Sequence, residues 1–259
     1  MKPWTIVAAC VATAPLGGTA IAHGSGDGAL LSAMHAAAAL APPQSRPGRI
    51  ANNEGVLGGP PDFQPERDTP RSFTSYNHMI DNGRCSAKIG RKLTAALLSE
   101  MPKSTAELSQ YGQLDVRLAS CRATGPTRIH SLQRGSLAEG MVYKMAVAPT
   151  ALAPDSPRYA AFITGERTFN SLREAADQRL IAATNCLAAQ QPARALAVFA
   201  SRHGSAAEAS AMDALFAGAP GCAGGVRPAN VSRSFLRAFL ADSLQRLAVF
   251  SQGGDDAKG

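Results

Sequence analysis

Apolar side chains recur along this chain at the spacing of an α-helix, and two stripes stand out. The first steps by four, four and three positions through Cys85, Ile89, Leu93 and Ala96. The second is formed by Leu236, Leu240, Leu244 and Leu247. Each stripe falls on one helical face, and strand-like character is confined to residues 159–164. The pattern therefore predicts an all-α protein.

The two stripes belong to segments that match each other along the sequence. Cys85 precedes Cys121 by 36 positions, and Cys186 precedes Cys222 by the same 36 positions. Further residues match at an offset of 101 positions before the second cysteine of each segment and 103 after it: Ser104 with Ser205, Glu107 with Glu208, Arg134 with Arg237, and Glu139 with Asp242. This shared order indicates an internal duplication.

Helix starts recur at the same places in both segments. Ser104 and Ser205 are each followed three residues later by glutamate. In this capping box the serine hydroxyl accepts from the N3 amide and the glutamate reaches back to the cap amide. Final helices are predicted near 128–146 and 232–250. The fold class is therefore all-α, with two homologous antiparallel units of about three helices each, and each unit closed by one disulfide.

The disulfide map follows from the equal spacing. Four cysteines allow three connectivities. Bridges Cys85–Cys121 and Cys186–Cys222 close loops of equal size within the units, whereas crossed bridges would have to link the units across a flexible, Pro-rich linker. We therefore predict the bridges within the units.

Composition sets the other boundaries. Residues 23–75 are predicted to be a disordered Pro/Gly/Ala-rich linker, in which 29–41 could form a short helix. The first unit spans 76–146 and the second spans 170–250, with a linker at 147–169 and a disordered tail at 251–259.

Residues 1–22 have the organisation of a secretory signal peptide: Lys2, an apolar stretch at 6–14, and the small-residue site Ala20-Ile21-Ala22. Cleavage after Ala22 would leave four cysteines, an even number typical of an oxidising compartment. We predict a periplasmic or secreted protein with no transmembrane span after signal removal. A buried N-terminal segment of a cytosolic protein and a lipoprotein acylated at Cys10 are the alternatives.

The paired cysteine spacing and the Leu-x-Arg-Gly-x-Leu-Ala-Glu ending at 132–139 resemble a group of secreted four-cysteine helical proteins of alphaproteobacteria, a family of unknown function. The resemblance covers 76–146 and 170–247. It implies export, helices and disulfides, and it implies no activity. Arg91 stands where the second segment has Pro192, so the first segment departs from the pattern.

Charge suggests one candidate surface. The chain has 26 Lys and Arg against 19 Asp and Glu, a formal net charge of +7. On the predicted first helix, one side carries Arg84, Lys88, Arg91 and Lys92. These side chains could contact an anionic envelope component, although a solvated helix face explains them better. Nucleic acid is an unlikely partner, because stacking needs aromatic side chains and they make up 5% of the chain.

Chemistry-bearing residues form no recognisable motif. No cysteine or histidine has the short spacing of a zinc site, so we assign no metal, cofactor or catalytic residue. The histidines are predicted to be surface or half-buried: His23, His35, His78, His130 and His203. The recurring Arg134/Glu139 and Arg237/Asp242 pairs fit a structural brace against helix ends or linkers better than a duplicated acid–base site.

Two functions of different classes remain open. One is a non-enzymatic, exported helical-repeat protein that binds or scaffolds at the cell envelope. The other is a small secreted hydrolase with a site assembled from distant residues. A pocket with convergent His, Asp, Glu or Ser side chains would favour the hydrolase, and a shallow basic or apolar groove between the units would favour the binding protein.

Overall fold

A computed structural model describes residues 67–253 except 118, 122–128 and 146. The signal peptide, Cys10, His23, His35, the predicted linker as far as residue 66 and the tail from 254 lie outside the described residues. All of the described residues belong to one unit of contacts.

The described part of the chain is helical and contains no strand. Its α-helices are α1 (Pro70–Ile89), α2 (Arg91–Ser99), α3 (Thr105–Arg117), α4 (His130–Val142), α5 (Pro157–Phe169), α6 (Ala175–Gln190), α7 (Pro192–Ala200), α8 (Ala206–Gly218), α9 (Pro220–Ala223) and α10 (Arg233–Gly253). A 3₁₀ turn, Ala119–Cys121, follows α3. The all-α prediction is confirmed.

A row of long helices forms the centre of the molecule. Helix α4 packs against α1 on one side and α10 on the other, and α10 packs in turn against α6. Glycines permit the close approaches: a Cβ added at Gly83 would overlap the backbone of Ser136, and one at Gly135 would overlap Ala238. Gly135 and Ala238 are themselves equivalent at the offset of 103, so α4 and α10 cross at matching positions.

Both predicted linkers contain helix. Thr69 caps α1 by accepting from the Ser72 amide at 3.1 Å, so residues 70–75 are helical rather than disordered. Ser156 caps α5 in the same way, with Pro157 in its first turn. The strand-like stretch at 159–164 is therefore helical. Tyr159 is buried three residues before Phe162, and α5 packs on α6.

The predicted first helix is two helices. Helix α1 ends at Ile89, whose side chain is 54% exposed, and α2 begins after Gly90. The second unit breaks at the matching Gln191, and Pro192 lies in the first turn of α7, where its missing N–H costs no helical hydrogen bond. Lys88, Arg91 and Lys92 are exposed on both sides of the break. The proposed basic stripe on one helix is therefore wrong.

Disulfides close both units as predicted. Cys85–Cys121 and Cys186–Cys222 each join Cα atoms 5.5 Å apart, within the usual range for a bridge. Helix α8 ends at Gly218, before its cysteine, as expected from the glycine and proline that follow. Helix α3 also stops short, at Arg117, and Cys121 lies in the 3₁₀ turn.

Candidate functional site

Two buried glutamates are positioned by the capping boxes. The Ser104 hydroxyl accepts from the Glu107 amide at 3.1 Å, and Ser205 does the same for Glu208 at 3.1 Å. The glutamates reach one residue further back than predicted. Glu107 accepts from the Lys103 amide at 2.5 Å, and Glu208 accepts from the Gly204 amide at 2.8 Å. One carboxylate oxygen of each glutamate is left to meet an arginine.

The Arg134 cluster consists of Arg134, Glu107 and Asp242. The guanidinium donates to Glu107 at 2.8 Å and to Asp242 at 3.0 Å. It also donates to the backbone carbonyls of Leu98 at 2.7 Å and Glu100 at 3.2 Å, which satisfies carbonyls at the end of α2 that lack helical partners. Arg134 is 1% exposed, so α2, α3, α4 and α10 meet at one buried cation.

The Arg237 cluster consists of Arg237, Glu208 and Glu139, and it repeats this arrangement. Arg237 donates to Glu208 at 2.8 Å and to Glu139 at 2.7 and 2.9 Å. It also donates to the carbonyls of Val198 and Ser201 at the end of α7. The prediction of a brace against helix ends is confirmed. Each arginine, however, pairs with the acid of the other unit: Arg134 with Asp242, and Arg237 with Glu139.

Mutual pairing keeps the clusters charged despite their burial. Burial by itself would lower the pKa of Arg134 and Arg237, but the facing carboxylates outweigh it and raise both pKa values. Burial would raise the pKa of Asp242, but the nearby Arg134 and Arg173 hold that pKa below its ordinary value. Both clusters are therefore ionic braces, because burying either sign alone would be costly.

A second arginine, Arg173, joins the Arg134 cluster. Arg173 donates to Asp242 at 2.5 Å and to the Asn170 side chain at 2.7 Å, and it is buried. The ring of Phe169, at the end of α5, lies 5.5 Å from the Arg134 guanidinium carbon. The end of α5 and the residues after it thus cover this cluster. Asn170 and Asp242 accept the hydrogen bonds of Arg173, which is the outer arginine of the cluster.

The outer arginine of the Arg237 cluster is differently placed. Arg84 lies 3.7 Å from Glu139, within ion-pair range and beyond hydrogen-bond distance, whereas Arg237 donates to both oxygens of that carboxylate. Its guanidinium carbon sits 4.3 Å from the ring centroid of Tyr143. The Arg84 Nε is buried without a hydrogen-bond partner. Arg84 therefore keeps an N–H group without a partner, whereas Arg173 donates to Asp242 and Asn170.

A polar cleft of about 480 Å³ opens beside Arg84. Side chains from α1, from the end of α4 and from the turn after α7 line it; they include Asn77, Asp81, Arg84, Tyr143, Arg202 and His203. Arg202 and Asp81 are exposed. A second cavity, lined by Thr184, Leu187, Met212 and neighbouring apolar side chains, measures about 10 Å³. Its size is that of one water molecule.

His203 connects Glu208 and Ser234 in a buried row of hydrogen bonds. The Nδ1 atom lies 2.7 Å from the Glu208 carboxylate, and Nε2 lies 2.9 Å from the Ser234 hydroxyl. Burial would raise the pKa of Glu208, but the bonds from His203 and the charge of Arg237 lower it. Since a carboxylate only accepts, Nδ1 carries a proton and donates to Glu208, while Nε2 faces the Ser234 hydroxyl.

The Ser234–His203–Glu208 row has the connectivity of a serine–histidine–acid triad. However, Ser234 is 1% exposed and His203 is 3% exposed. The rings of Phe73 and Tyr76 lie edge-on to the imidazole at 5.0 and 5.1 Å. The expectation of a surface or half-buried histidine is wrong for His203. His78 is exposed and His130 is half-buried.

Sequence reasoning missed Arg173 and the His203–Ser234 contact, and it marked Arg84 only as part of a basic helix face. The matched offsets marked Arg134, Arg237 and their acids. Arg173 lies in the second segment with no cation at its matching position, so the repeat carried no signal for it. His203 and Ser234 are 31 positions apart, and no local motif joins them.

No group of His, Cys, Asp and Glu side chains among the described residues could hold a metal ion. In the same part of the chain, no helix is long and apolar enough to cross a membrane. Comparison with protein-family models, curated proteins and solved structures finds no match to this chain.

Proposed function

We propose that this chain is an exported, non-enzymatic helical protein that binds or scaffolds an anionic component at the cell envelope. One observation carries the proposal: the buried Arg134 and Arg237 are bound to carboxylates and to helix ends, whereas Arg84 and Arg202 face an open polar cleft. The cleft arginines supply groups that can bind an anion, and the buried ion pairs hold the surrounding helices in place.

Export is supported by the two disulfides within the described residues. Such bonds persist in oxidising compartments and are rare in the cytosol. Together with the signal-like residues 1–22, they favour the periplasm or the extracellular medium. The same observations are those expected of the secreted four-cysteine family.

We further propose that the two units arose by duplication. Equivalent contacts recur at the offsets found in the sequence. Arg134 donates to the Glu100 carbonyl and Arg237 donates to the matching Ser201 carbonyl. The backbone is left-handed at both Lys103 (φ 66°) and Gly204 (φ 87°). The swapped acid partners are what a fused symmetric dimer would have, since a two-fold contact pairs residue i with j and j with i.

Cell fractionation tests this function. Wild-type chain is expressed in a Gram-negative host, thiols are alkylated on lysis, and envelope and soluble fractions are compared at low and high salt. We expect oxidised cysteines, an N-terminus at His23 and salt-sensitive association with the envelope. Free cysteines in a cytosolic chain would contradict export, and a chain that never sediments with the envelope would contradict the binding role.

The buried triad favours hydrolysis as a second candidate. A fluorophosphonate probe tests it, because such probes modify activated serines. Ser131, the counterpart of Ser234 in the first unit, donates to Asp177 at 2.8 Å and supplies the matched control. Labelling that is lost in Ser234→Ala and kept in Ser131→Ala would establish the hydrolase and overturn the non-enzymatic proposal. We expect no labelling, because the nucleophile is shielded from substrate.

A further inference from the structure

We propose that the cleft beside Arg84 is a phosphate-binding site, with Arg84 and Arg202 as its cationic contacts. The proposal rests on the proposed binding function and names its ligand chemistry. The phosphate could belong to a phospholipid headgroup or to a soluble organic phosphate.

The first argument is the state of Arg84. A guanidinium has five N–H donors. The nearest carboxylate, Glu139, accepts from Arg237 at both oxygens and lies 3.7 Å from Arg84, which is an ion-pair distance longer than a hydrogen bond. The Nε of Arg84 is buried and has no hydrogen-bond partner. A buried donor without a hydrogen bond lowers the stability of the folded protein. A ligand oxygen that reached this group would recover that cost.

The second argument is preorganisation. The ring of Tyr143 lies 4.3 Å from the Arg84 guanidinium carbon, and stacking of this kind fixes the plane of an arginine. The Arg84 side chain is 35% exposed, so it is held at the cleft wall and still reaches solvent. Less conformational entropy is then lost when a ligand binds.

The third argument is the contrast with the Arg134 cluster. There, Arg173 is buried and hydrogen-bonded to Asp242 and Asn170, and Phe169 covers the site. Among the described residues, the Arg237 cluster has an open cleft of about 480 Å³ at the corresponding side. One cluster is closed by the chain itself, and the other presents its outer arginine to solvent.

Phosphate suits this cleft better than a simple carboxylate. Three arginines line it from different elements: Arg84 from α1, Arg202 from the turn after α7, and Arg237 from α10. Arg237 is already bound to Glu139 and Glu208. A tetrahedral oxyanion presents enough acceptor oxygens for more than one guanidinium, and arginine is well matched to phosphate geometry. Asp81 also lines the cleft, and its negative charge should weaken binding of any anion.

Calorimetric titration of the chain from His23 to Gly259 tests the site. The probes are inorganic phosphate, glycerol 3-phosphate and acetate, and sedimentation with phosphatidylglycerol vesicles is measured separately. We expect both phosphates to bind and acetate to bind at least about tenfold more weakly. Binding to glycerol 3-phosphate without vesicle sedimentation would assign a soluble ligand, and stronger capture by vesicles would assign a lipid headgroup. Equal binding of acetate would overturn the choice of phosphate.

Three variants localise the effect. Arg84→Gln should weaken phosphate binding at least about tenfold, the range expected for loss of a charge-assisted hydrogen bond. Arg91→Gln removes the same charge from an exposed residue outside the cleft and should change affinity less than about twofold. Asp81→Asn should strengthen binding. Equal losses in Arg84→Gln and Arg91→Gln would show nonspecific attraction and overturn the site.

Unfolding of Arg84→Gln would not obscure the result, because exposed Arg202→Gln provides a second loss-of-contact variant. Its melting temperature should match that of the wild type while its phosphate affinity falls. Wild-type chain that binds no phosphate probe would refute the site. Salt-sensitive envelope association in the fractionation experiment would then still support the broader function, so the two failures are distinguishable.

Discussion

Replacing Arg134 by methionine tests whether the swapped clusters hold the two units together. Methionine keeps an unbranched apolar side chain and has no hydrogen-bond donor. The change removes the contacts to Asp242 at 3.0 Å, to Glu107 at 2.8 Å and to the Leu98 carbonyl at 2.7 Å. Glu107 in the first unit and Asp242 in the second unit then lose the cation that they share.

The expected cost is that of breaking a buried ion pair from one side, about 3–5 kcal/mol. Partial compensation keeps the loss within this range, because Asp242 retains Arg173 and Glu107 retains the Lys103 amide. For a domain of this size each kcal/mol shifts the melting temperature by about 2–4 °C. We therefore expect Arg134→Met to melt about 6–20 °C below the wild type.

Urea unfolding at pH 7, followed by far-UV circular dichroism, measures the loss. Arg179→Met provides the control: it removes the same charge from an exposed side chain and should cost less than about 0.5 kcal/mol. Arg237→Met should resemble Arg134→Met, because its contacts are equivalent. A loss below about 1 kcal/mol for Arg134→Met would refute the assignment of the cluster as a brace.

The pH dependence gives a second check on the same variant. The folded pKa of Asp242 lies below its ordinary value because of Arg134 and Arg173. Its stabilising contribution is therefore full above the unfolded pKa of about 3.9 and is lost as pH falls through the folded pKa. The stability gap between wild type and Arg134→Met should narrow below about pH 4. A gap that widened on acidification would contradict this sign.

Three further outcomes follow from the fold. Replacing Cys85 and Cys121 together by serine should cost about 4 kcal/mol on the chain-entropy model for a loop of this length, measured as a fall in the urea midpoint; an unchanged midpoint would mean that the bridge contributes nothing. Gly83→Ala should destabilise the protein, since its Cβ would overlap the Ser136 backbone. Gly112 is an exposed residue of α3 whose added Cβ would meet nothing within 4 Å, so Gly112→Ala should raise the free energy of unfolding by up to about 1 kcal/mol. Thermal melts compare the two variants. Edman sequencing of exported chain should begin at His23, and retention of Met1 would contradict cleavage after Ala22.

Local sequence determined much of the architecture. Helical periodicity, capping serines and Pro192 placed most helices, because these signals act within a few residues of the backbone groups they satisfy. The disulfide map followed from equal spacing. The segment 159–164 was mispredicted as strand-like because its aromatic residues favour strands locally. Burial of Tyr159 and Phe162, together with the Ser156 cap, decided the helix.

Only the tertiary structure decided which charges meet. The sequence marked Arg134 and Arg237 as equivalent, but the crossing of α4 and α10 at Gly135 and Ala238 gives each arginine the acid of the other unit. The same packing encloses His203 and leaves Arg84 facing a cleft. Pairing over about a hundred positions depends on how helices cross in space, and no short-range pattern encodes that.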